Sequence, residues 1–297
     1  MKYKVIFLYL IFSVSDFAVA HGIYEAEKEN VDKTRDFKQT HIFKEYDYKE
    51  YNPLFLDAKQ KIELNYTTML GLSNTQTLIF NGIKTQYKYP IKLHKMQLKL
   101  FGNMSFGNTL ITTQIAQDDI FYMGINAGFL SSMPLNMQDL KAHAVFGVDV
   151  GASFLGKYAT SVLINSYFGI DFLSNQYVFR PFVSLSFIVP FSSLYDVYML
   201  CNGSIGFKAF YREDSMLLFA SLALSTTFSK NNANIFILLP QSIPFYISAN
   251  SLRFDFSAGG QYITTKYLNV NAALLVNYVA NYYALNAGGQ IGVSYRF

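Results

Sequence analysis

From Lys61 to Phe297 the chain alternates between apolar and polar residues with a period of two. Segment 141–154 shows the pattern clearly, because its even positions carry Ala, Phe and Val whereas its odd positions include Lys141, His143 and Asp149. A period of two is typical of β-strands, in which successive side chains point to opposite faces. The alternation therefore predicts a series of strands with one apolar and one polar face.

Between Lys141 and Phe297, the charged residues of the strands fall on the face opposite the apolar series. A Lys or Arg on a lipid-facing position near the bilayer midplane costs about 2–4 kcal/mol. The placement therefore predicts a barrel with its outer face in lipid and its inner face around a lumen. The predicted lumen-facing charges are Asp149, Asp171, Arg180, Asp196, Lys208, Arg253 and Asp255.

Turn-forming residues such as Gly156-Lys157 and Ser174-Asn175 separate the predicted strands. Single-chain bacterial barrels have an even number of strands, so one of the thirteen candidates must be wrong, and the alternation is noisiest within 61–130. We predict an all-β fold, an antiparallel up-and-down transmembrane β-barrel of twelve strands, with ten to fourteen as the alternatives. The candidates are 61–70, 75–89, 92–106, 108–117, 119–130, 141–155, 158–172, 177–190, 195–211, 214–229, 250–264, 267–280 and 283–297.

The first twenty residues have the features of a secretory signal peptide. Two lysines precede an apolar stretch at 5–14 that is too short to span a bilayer as a helix. Ala18-Val19-Ala20 then forms a small-residue cleavage site, so we predict export and cleavage between Ala20 and His21. An N-terminal anchor helix is the alternative.

Residues 21–60 differ from the rest of the chain, since they hold 16 of its 44 charged residues. Nine are acidic and seven are basic. We predict a solvated segment that lies in the periplasm or folds back into the barrel mouth like a plug. The predicted organisation is a signal peptide at 1–20, this charged segment at 21–60 and the barrel at 61–297.

Composition agrees with a barrel. Hydrophobic residues make up 51% of the chain, yet beyond the N-terminus no apolar run approaches the length of a membrane helix. The 28 Phe and 23 Tyr suit aromatic girdles at the two membrane interfaces. The net charge of +4 and the absence of a basic block argue against nucleic acid. A single cysteine, Cys201, allows no internal disulfide, and we predict no metal or cofactor.

Five lysines occur within 16 residues without an intervening acid. They lie on two consecutive predicted strands joined near Tyr89-Pro90, so they would place positive charge along one lumen wall or near one rim. Such charge favours anions in a pore or binds lipopolysaccharide phosphates, and ordinary solvated strand-end charge is the alternative. The five are Lys84, Lys88, Lys92, Lys95 and Lys99.

The segment 229–250 is the longest gap in the second half, and it is apolar. Because the last strand must end in the periplasm, we expect this loop on the extracellular side. It would fold into the lumen, pack over the mouth or contact a partner, and an extended hairpin above the membrane is the alternative.

The sequence offers few residues that could form a catalytic site. An outer-membrane lipase needs a His–Ser pair with an orienting third group, and His143 is the only plausible base. We predict that His143 lines the lumen and that the protein is not an enzyme, with a lipid-modifying enzyme as the low-weight alternative.

The chain ends in a polar residue, a glycine two positions later and two aromatics, which are Gln290, Gly292, Tyr295 and Phe297. This pattern resembles the terminal signature that the barrel-assembly machinery reads, where an edge strand docks by strand addition. The composition and the strands that end in Phe also resemble the small Helicobacter-type outer-membrane proteins. That resemblance implies a bacterial outer-membrane barrel, porin-like or adhesive, surrounded by lipid and lipopolysaccharide.

The sequence therefore predicts an integral outer-membrane barrel that serves as a narrow porin-like channel or a structural barrel. The alternative is an adhesin that uses the 229–250 loop to contact host surface molecules.

Overall fold

A computed structural model of the chain describes most of the sequence beyond residue 51. The described residues are 52–55, 60–74, 76–93, 96–136, 141–156, 159–191, 199–213, 215–228, 234–238, 244–248, 252–265, 267–280 and 283–297. The predicted signal peptide, its cleavage site at Ala20 and His21, and most of segment 21–60 lie outside these residues. Among the described residues, no helix is both long and apolar enough to cross a membrane.

Within the described residues the chain forms fourteen β-strands and one short 3-10 helix, Pro53–Phe55. The strands are β1 (Lys61–Leu72), β2 (Gln76–Leu93), β3 (Met96–Thr113), β4 (Gln117–Asn136), β5 (Lys141–Leu155), β6 (Ala159–Ser174), β7 (Tyr177–Phe191), β8 (Leu200–Glu213), β9 (Met216–Phe228), β10 (Asn234–Leu238), β11 (Pro244–Ser248), β12 (Leu252–Ile263), β13 (Leu268–Val279) and β14 (Ala284–Arg296).

Twelve of the described strands close into an antiparallel barrel, as the alternation predicts. Each strand pairs with its neighbour in the chain, and β9 pairs directly with β12. The barrel closes where β1 pairs with β14, from Lys61 opposite Arg296 to Leu72 opposite Leu285. Closure pairs the strand edges and leaves none open. The remaining two strands, β10 and β11, form a separate hairpin within the predicted loop 229–250.

The two faces of the wall have opposite chemistry. In β1 the exposed and buried positions alternate strictly, with Leu64 48% exposed on the outside and Glu63 and Asn65 buried on the inside. The same alternation of large exposed apolar side chains with buried polar ones recurs around the barrel. Apolar outside and polar inside is the arrangement of a barrel with lipid as its outer solvent.

Two details of the strand prediction are wrong. Candidates 92–106 and 108–117 fall mainly on the single strand β3, which accounts for the surplus thirteenth candidate. The turn expected near Tyr89-Pro90 is absent, because β2 continues to Leu93. Pro90 lies beyond Lys88, the last residue of β2 with a partner on β1 among the described residues, so its missing N–H removes no hydrogen bond from the described part of that ladder.

Candidate functional site in the barrel lumen

The lumen has two ends that differ in what they contain. We call the end that holds Lys61 and Arg296 the terminal end and the opposite one, which holds Leu72 and Ala284, the distal end. Residues Asn52–Phe55, which include the 3-10 helix, lie against the inner wall near the terminal end. We call these four residues the plug.

Asn52 holds the plug to three strands. Its side-chain amide donates to the hydroxyl of Ser132, at 2.9 Å, and to the carboxylate of Asp171. Its backbone N–H donates to the side-chain oxygen of Gln97 at 2.8 Å. Asn52 is fully buried, and its own side-chain oxygen accepts the N–H of Leu54 at 3.0 Å. Every polar group of this side chain is therefore used to position the plug.

Lys99 provides a second anchor from strand β3. Its ammonium group donates to the carbonyl of Leu54 at 3.1 Å and lies 5.3 Å from the ring centroid of Phe55. A cation over an aromatic face is attracted by the ring electrons. Leu54 and Phe55 are both buried, so the plug also fills space in the lumen.

The carboxylate that receives Asn52 is itself ion-paired. Arg180 donates from Nε to one oxygen of Asp171 and from a terminal nitrogen to the other, the latter at 2.7 Å. Such bidentate pairs are among the strongest hydrogen-bonded contacts in proteins. Arg180 is 0% exposed, and its guanidinium lies 5.4 Å from the ring of Phe210. The ion pair with Arg180 therefore holds in place the carboxylate that accepts a hydrogen bond from Asn52 of the plug.

Lys208 lies on the same wall among aromatic rings. Its ammonium is 4.8 Å from the ring centroid of Phe182 and 5.4 Å from that of Tyr167. These two rings are themselves 5.5 Å apart. The aromatic faces stabilise a cation that is almost fully buried.

A third charged group occupies the wall of β1 and β2. Oε2 of Glu63 accepts a hydrogen bond from Lys88 at 2.9 Å, and Oε1 forms an ion pair with Lys61 at 2.8 Å. All three side chains are buried. One carboxylate therefore bridges two lysines, and the group carries a net positive charge.

Asp149 sits further along the lumen in a network of amides. Its Oδ1 accepts hydrogen bonds from Asn165 at 2.7 Å and Asn126 at 3.3 Å. Asn103 in turn donates to Asn126 at 2.8 Å. The carboxylate is thus held by neutral donors instead of a direct ion pair.

Nearer the distal end, Arg253 and Asp255 form a more accessible pair. Arg253 donates from Nε to both oxygens of Asp255 at 2.7 and 2.9 Å, and the Asp255 side chain is 17% exposed. Ser225 also donates to Asp255 at 2.7 Å.

The predicted lumen charges occupy the inner wall, apart from Asp196, which lies outside the described residues. Of the five lysines, Lys84, Lys88 and Lys99 are buried in the lumen, whereas the side chain of Lys92 and all of Lys95 lie outside the described residues. The described lysines do not form one continuous patch of unpaired positive charge, because Lys88 pairs with Glu63 and Lys99 donates a hydrogen bond to the plug.

The structure also shows where residues of the predicted C-terminal signature and His143 lie. Gln290 is buried on the inner wall, whereas Tyr295 and Phe297 are exposed on the outside and pack edge to face. His143 is buried, with Nδ1 at 3.5 Å from the hydroxyl of Ser132. In the part of the chain that the structure describes, no group of three or more His, Cys, Asp or Glu side chains is arranged to hold a metal ion.

Sequence reasoning left open whether segment 21–60 folds back into the barrel mouth, and it singled out neither Asn52–Phe55 nor Glu63. The strand parity of Glu63, two residues into β1, was the available signal for its inward direction. The sequence contains no comparable signal for the position of Asn52, because this residue precedes the first strand and is not part of the alternation of apolar and polar residues.

Comparisons with known proteins find similar folds among solved structures and no similar sequence family. No family model matches the sequence, and no curated protein matches it. The β-domain of the Bordetella autotransporter BrkA is 11% identical with a TM-score of 0.58, over 80% of this chain and 100% of that one. An outer-membrane channel from Pseudomonas putida F1 is 11% identical with a TM-score of 0.54, over 80% and 95%. The transport unit of the autotransporter AIDA-I from Escherichia coli is 10% identical with a TM-score of 0.52, over 81% and 91%.

These similar structures are outer-membrane β-barrels, which include autotransporter domains and channels. The low identities restrict the likeness to the fold. The Helicobacter-type resemblance is not confirmed by any of the comparisons.

Proposed function

We propose that this chain is an integral protein of the bacterial outer membrane with a narrow polar pathway that the plug closes at its terminal end. The observation that carries the proposal is the docking of Asn52–Phe55 inside the polar lumen. The apolar outer wall supports the membrane location. With the C-terminal strand ending in the periplasm, the terminal end and its plug lie on the periplasmic side.

Barrel size supports a narrow pathway. Eight strands leave an interior that side chains can fill, whereas sixteen to eighteen leave an open aqueous channel. This barrel has twelve strands. Its buried charges within the described residues are nine Lys or Arg and three Asp or Glu. An excess of basic side chains favours anions in a pore, so the open pathway is expected to prefer anions weakly.

Planar-bilayer recording tests the channel. We expect the parent chain to open rarely and a variant with Asn52, Leu54 and Phe55 all changed to Ala to open often, with a reversal potential that indicates anion preference. A matched control is Gln114→Ala, in an exposed turn between β3 and β4. The absence of conductance from both parent and plug variant, at every voltage, would rule out the pore and leave a structural barrel.

A surface-interaction role is the second candidate, and the β10–β11 hairpin favours it. Apolar residues pair across this hairpin, such as Ile235 with Ile247 and Ile237 with Phe245. β11 also lies next to β1, three strands around the barrel from β12. Deleting 234–248 is expected to abolish attachment to host cells under this hypothesis, and unchanged attachment would exclude it.

We propose that the protein has no catalytic role. His143 is fully buried in the wall, with Nδ1 3.5 Å from a serine hydroxyl, so this base is shielded from a lipid substrate. A lipid-hydrolysis screen of the parent and His143→Ala checks this proposal. A hydrolytic activity that the variant loses would restore the enzyme hypothesis.

We further propose that the C-terminal strand is read by the barrel-assembly machinery. Tyr295 and Phe297 present exposed rings on the outside of the last strand, and Tyr267 stacks on Tyr295 with ring centroids 6.1 Å apart. Phe297→Ala is expected to lower the amount of folded barrel in membranes severalfold, with Phe228→Ala as the control on another outward ring. Equal yields for the two variants would argue against this signal.

A further inference from the structure

Three polar residues face outward in one row across β1, β2 and β3. Thr68 lies opposite Asn81, and Asn81 lies opposite Asn108. All three are exposed on the side of the wall that carries the apolar series. We call Thr68, Asn81 and Asn108 the polar patch.

Large apolar side chains surround the polar patch in both directions along the strands. On its distal side are the exposed Leu70 and Ile79, and on its terminal side are the exposed Ile83 and Phe106. The patch therefore lies within the apolar band and not at a rim. If the chain occupies the membrane as proposed above, these polar groups face hydrocarbon.

The hydrogen bonds of the patch are incomplete within the described residues. Tyr66 donates from its hydroxyl to the side-chain oxygen of Asn81 at 3.0 Å. The side chains of Asn108 and Thr68 and the amide nitrogen of Asn81 make no hydrogen bond within the described part of the chain. Ser166, an outward serine on β6, instead donates to the carbonyl of Leu185 at 3.3 Å. An amide without a hydrogen-bond partner is strongly unfavourable in an apolar medium.

We propose that the polar patch is the contact surface for a second copy of this chain. Acyl chains offer no hydrogen-bond partners, so the membrane leaves these groups unsatisfied. A side-chain amide is both donor and acceptor, and a two-fold axis beside Asn81 brings the two copies of that amide face to face. Such an interface uses the same surface on both subunits, and asparagine forms hydrogen bonds of this kind between membrane-embedded elements.

Cross-linking in intact membranes tests the proposal directly. Cys201 is the chain's only cysteine, so Cys201→Ser provides a cysteine-free background. In that background Asn108→Cys is expected to give a cross-linked dimer with a short bifunctional maleimide. The matched control Ser166→Cys, also outward but self-satisfied, is expected to remain monomeric. An Asn108→Cys protein that reacts with a monofunctional maleimide and yet gives no dimer would overturn the proposal.

Sedimentation in mild detergent provides a second measurement. We expect a dimer mass for the parent and half that mass for Asn81→Leu combined with Asn108→Leu, whereas Ser166→Leu stays dimeric. Heat-modifiable gel mobility checks that each variant is a folded barrel. A monomeric parent that carries bound lipid, lost in the double variant, would assign the patch to lipid and overturn the dimer. Membrane fractionation and conductance separately test the proposed function, so a failed dimer and a failed membrane assignment are distinguishable.

Discussion

Towards the terminal end, the inner wall carries ionic groups such as Glu63, Asp171 and Arg180, all buried and in direct contact with opposite charge. Towards the distal end, the same wall carries Phe80 and Tyr122, whose rings meet edge to face at 6.5 Å, together with buried Leu and Ile side chains. The two halves belong to one continuous sheet, so their difference arises from side chains and not from architecture.

The plug docks in the charged half, and the contrast explains why. Hydrogen bonds to ionised groups are about twice as strong as those between neutral groups. Asn52 can therefore hold a four-residue segment through Asp171, because Arg180 fixes that carboxylate in place. Charge in the lumen is costly to desolvate and is weak evidence for stability by itself. Here the charged groups hold Asn52–Phe55 in place, whereas the distal half contributes aromatic and apolar packing.

The largest expected effect is on the Asp171–Arg180 pair. Arg180→Ala leaves a buried carboxylate without its cation, which typically costs 3–5 kcal/mol. We expect a loss of about that size in the free energy of unfolding, measured by circular dichroism in urea and detergent micelles. The matched control is Arg253→Ala, whose partner Asp255 is partly exposed, and it should lose about 1 kcal/mol. Equal losses would break the distinction between the two halves.

The sequence predicts the wall well because lipid imposes a strict rule. Each charge on an outward position is expensive, so parity alone assigns Asp149, Arg180 and Lys208 to the inner face. The closed antiparallel barrel follows from the same rule, whereas the even strand number alone left ten, twelve and fourteen strands open, of which twelve is observed.

Alternation does not predict which inward side chains meet one another. Glu63 meets Lys88 because β1 and β2 are adjacent in a definite register, which alternation does not specify. Asn52 and Asp171 are 119 positions apart and meet only once the barrel has closed. Proline usually signals a turn, and this signal predicts a turn near Tyr89-Pro90. The prediction is wrong because proline can also lie within a strand where its missing N–H is not needed by a neighbouring strand.

The next largest effect concerns the group around Glu63. Glu63→Gln removes the carboxylate that bridges Lys61 and Lys88, and we expect a loss of about 2–3 kcal/mol in the free energy of unfolding. Adding Lys88→Met should recover part of the loss, because it removes one of the two ammonium groups that then repel each other. Urea unfolding of the single and double variants measures both. A double variant that is less stable than Glu63→Gln would show that Lys88 stabilises the wall by packing instead of by charge.

A smaller effect is expected at the plug itself. Asn52→Ala removes two side-chain donors, one of them to a carboxylate, and should weaken docking by about 2 kcal/mol. That corresponds to roughly a thirtyfold rise in the ratio of open to closed channels. Single-channel recording measures this ratio, while the unfolding free energy of the barrel should hardly change. Asn286→Ala removes an amide bonded to Asn277 near the distal end and should leave the ratio unaltered.

The smallest effect is expected at a neutral hydrogen bond of the distal half, that of Tyr122. Its hydroxyl and that of Ser105 are 3.1 Å apart and share a hydrogen bond, whereas its ring packs beside Phe80. Tyr122→Phe keeps the ring and removes the hydroxyl, so we expect a loss of about 1 kcal/mol in the free energy of unfolding, measured as for Arg180→Ala. Tyr122→Phe combined with Ser105→Ala should cost less than the sum of the two single changes, because both remove the shared bond, while Ser105→Ala also removes a longer bond to the carbonyl of Gly124. A loss as large as that of Arg180→Ala would mean that neutral hydrogen bonds hold the distal lumen as firmly as ion pairs hold the terminal one.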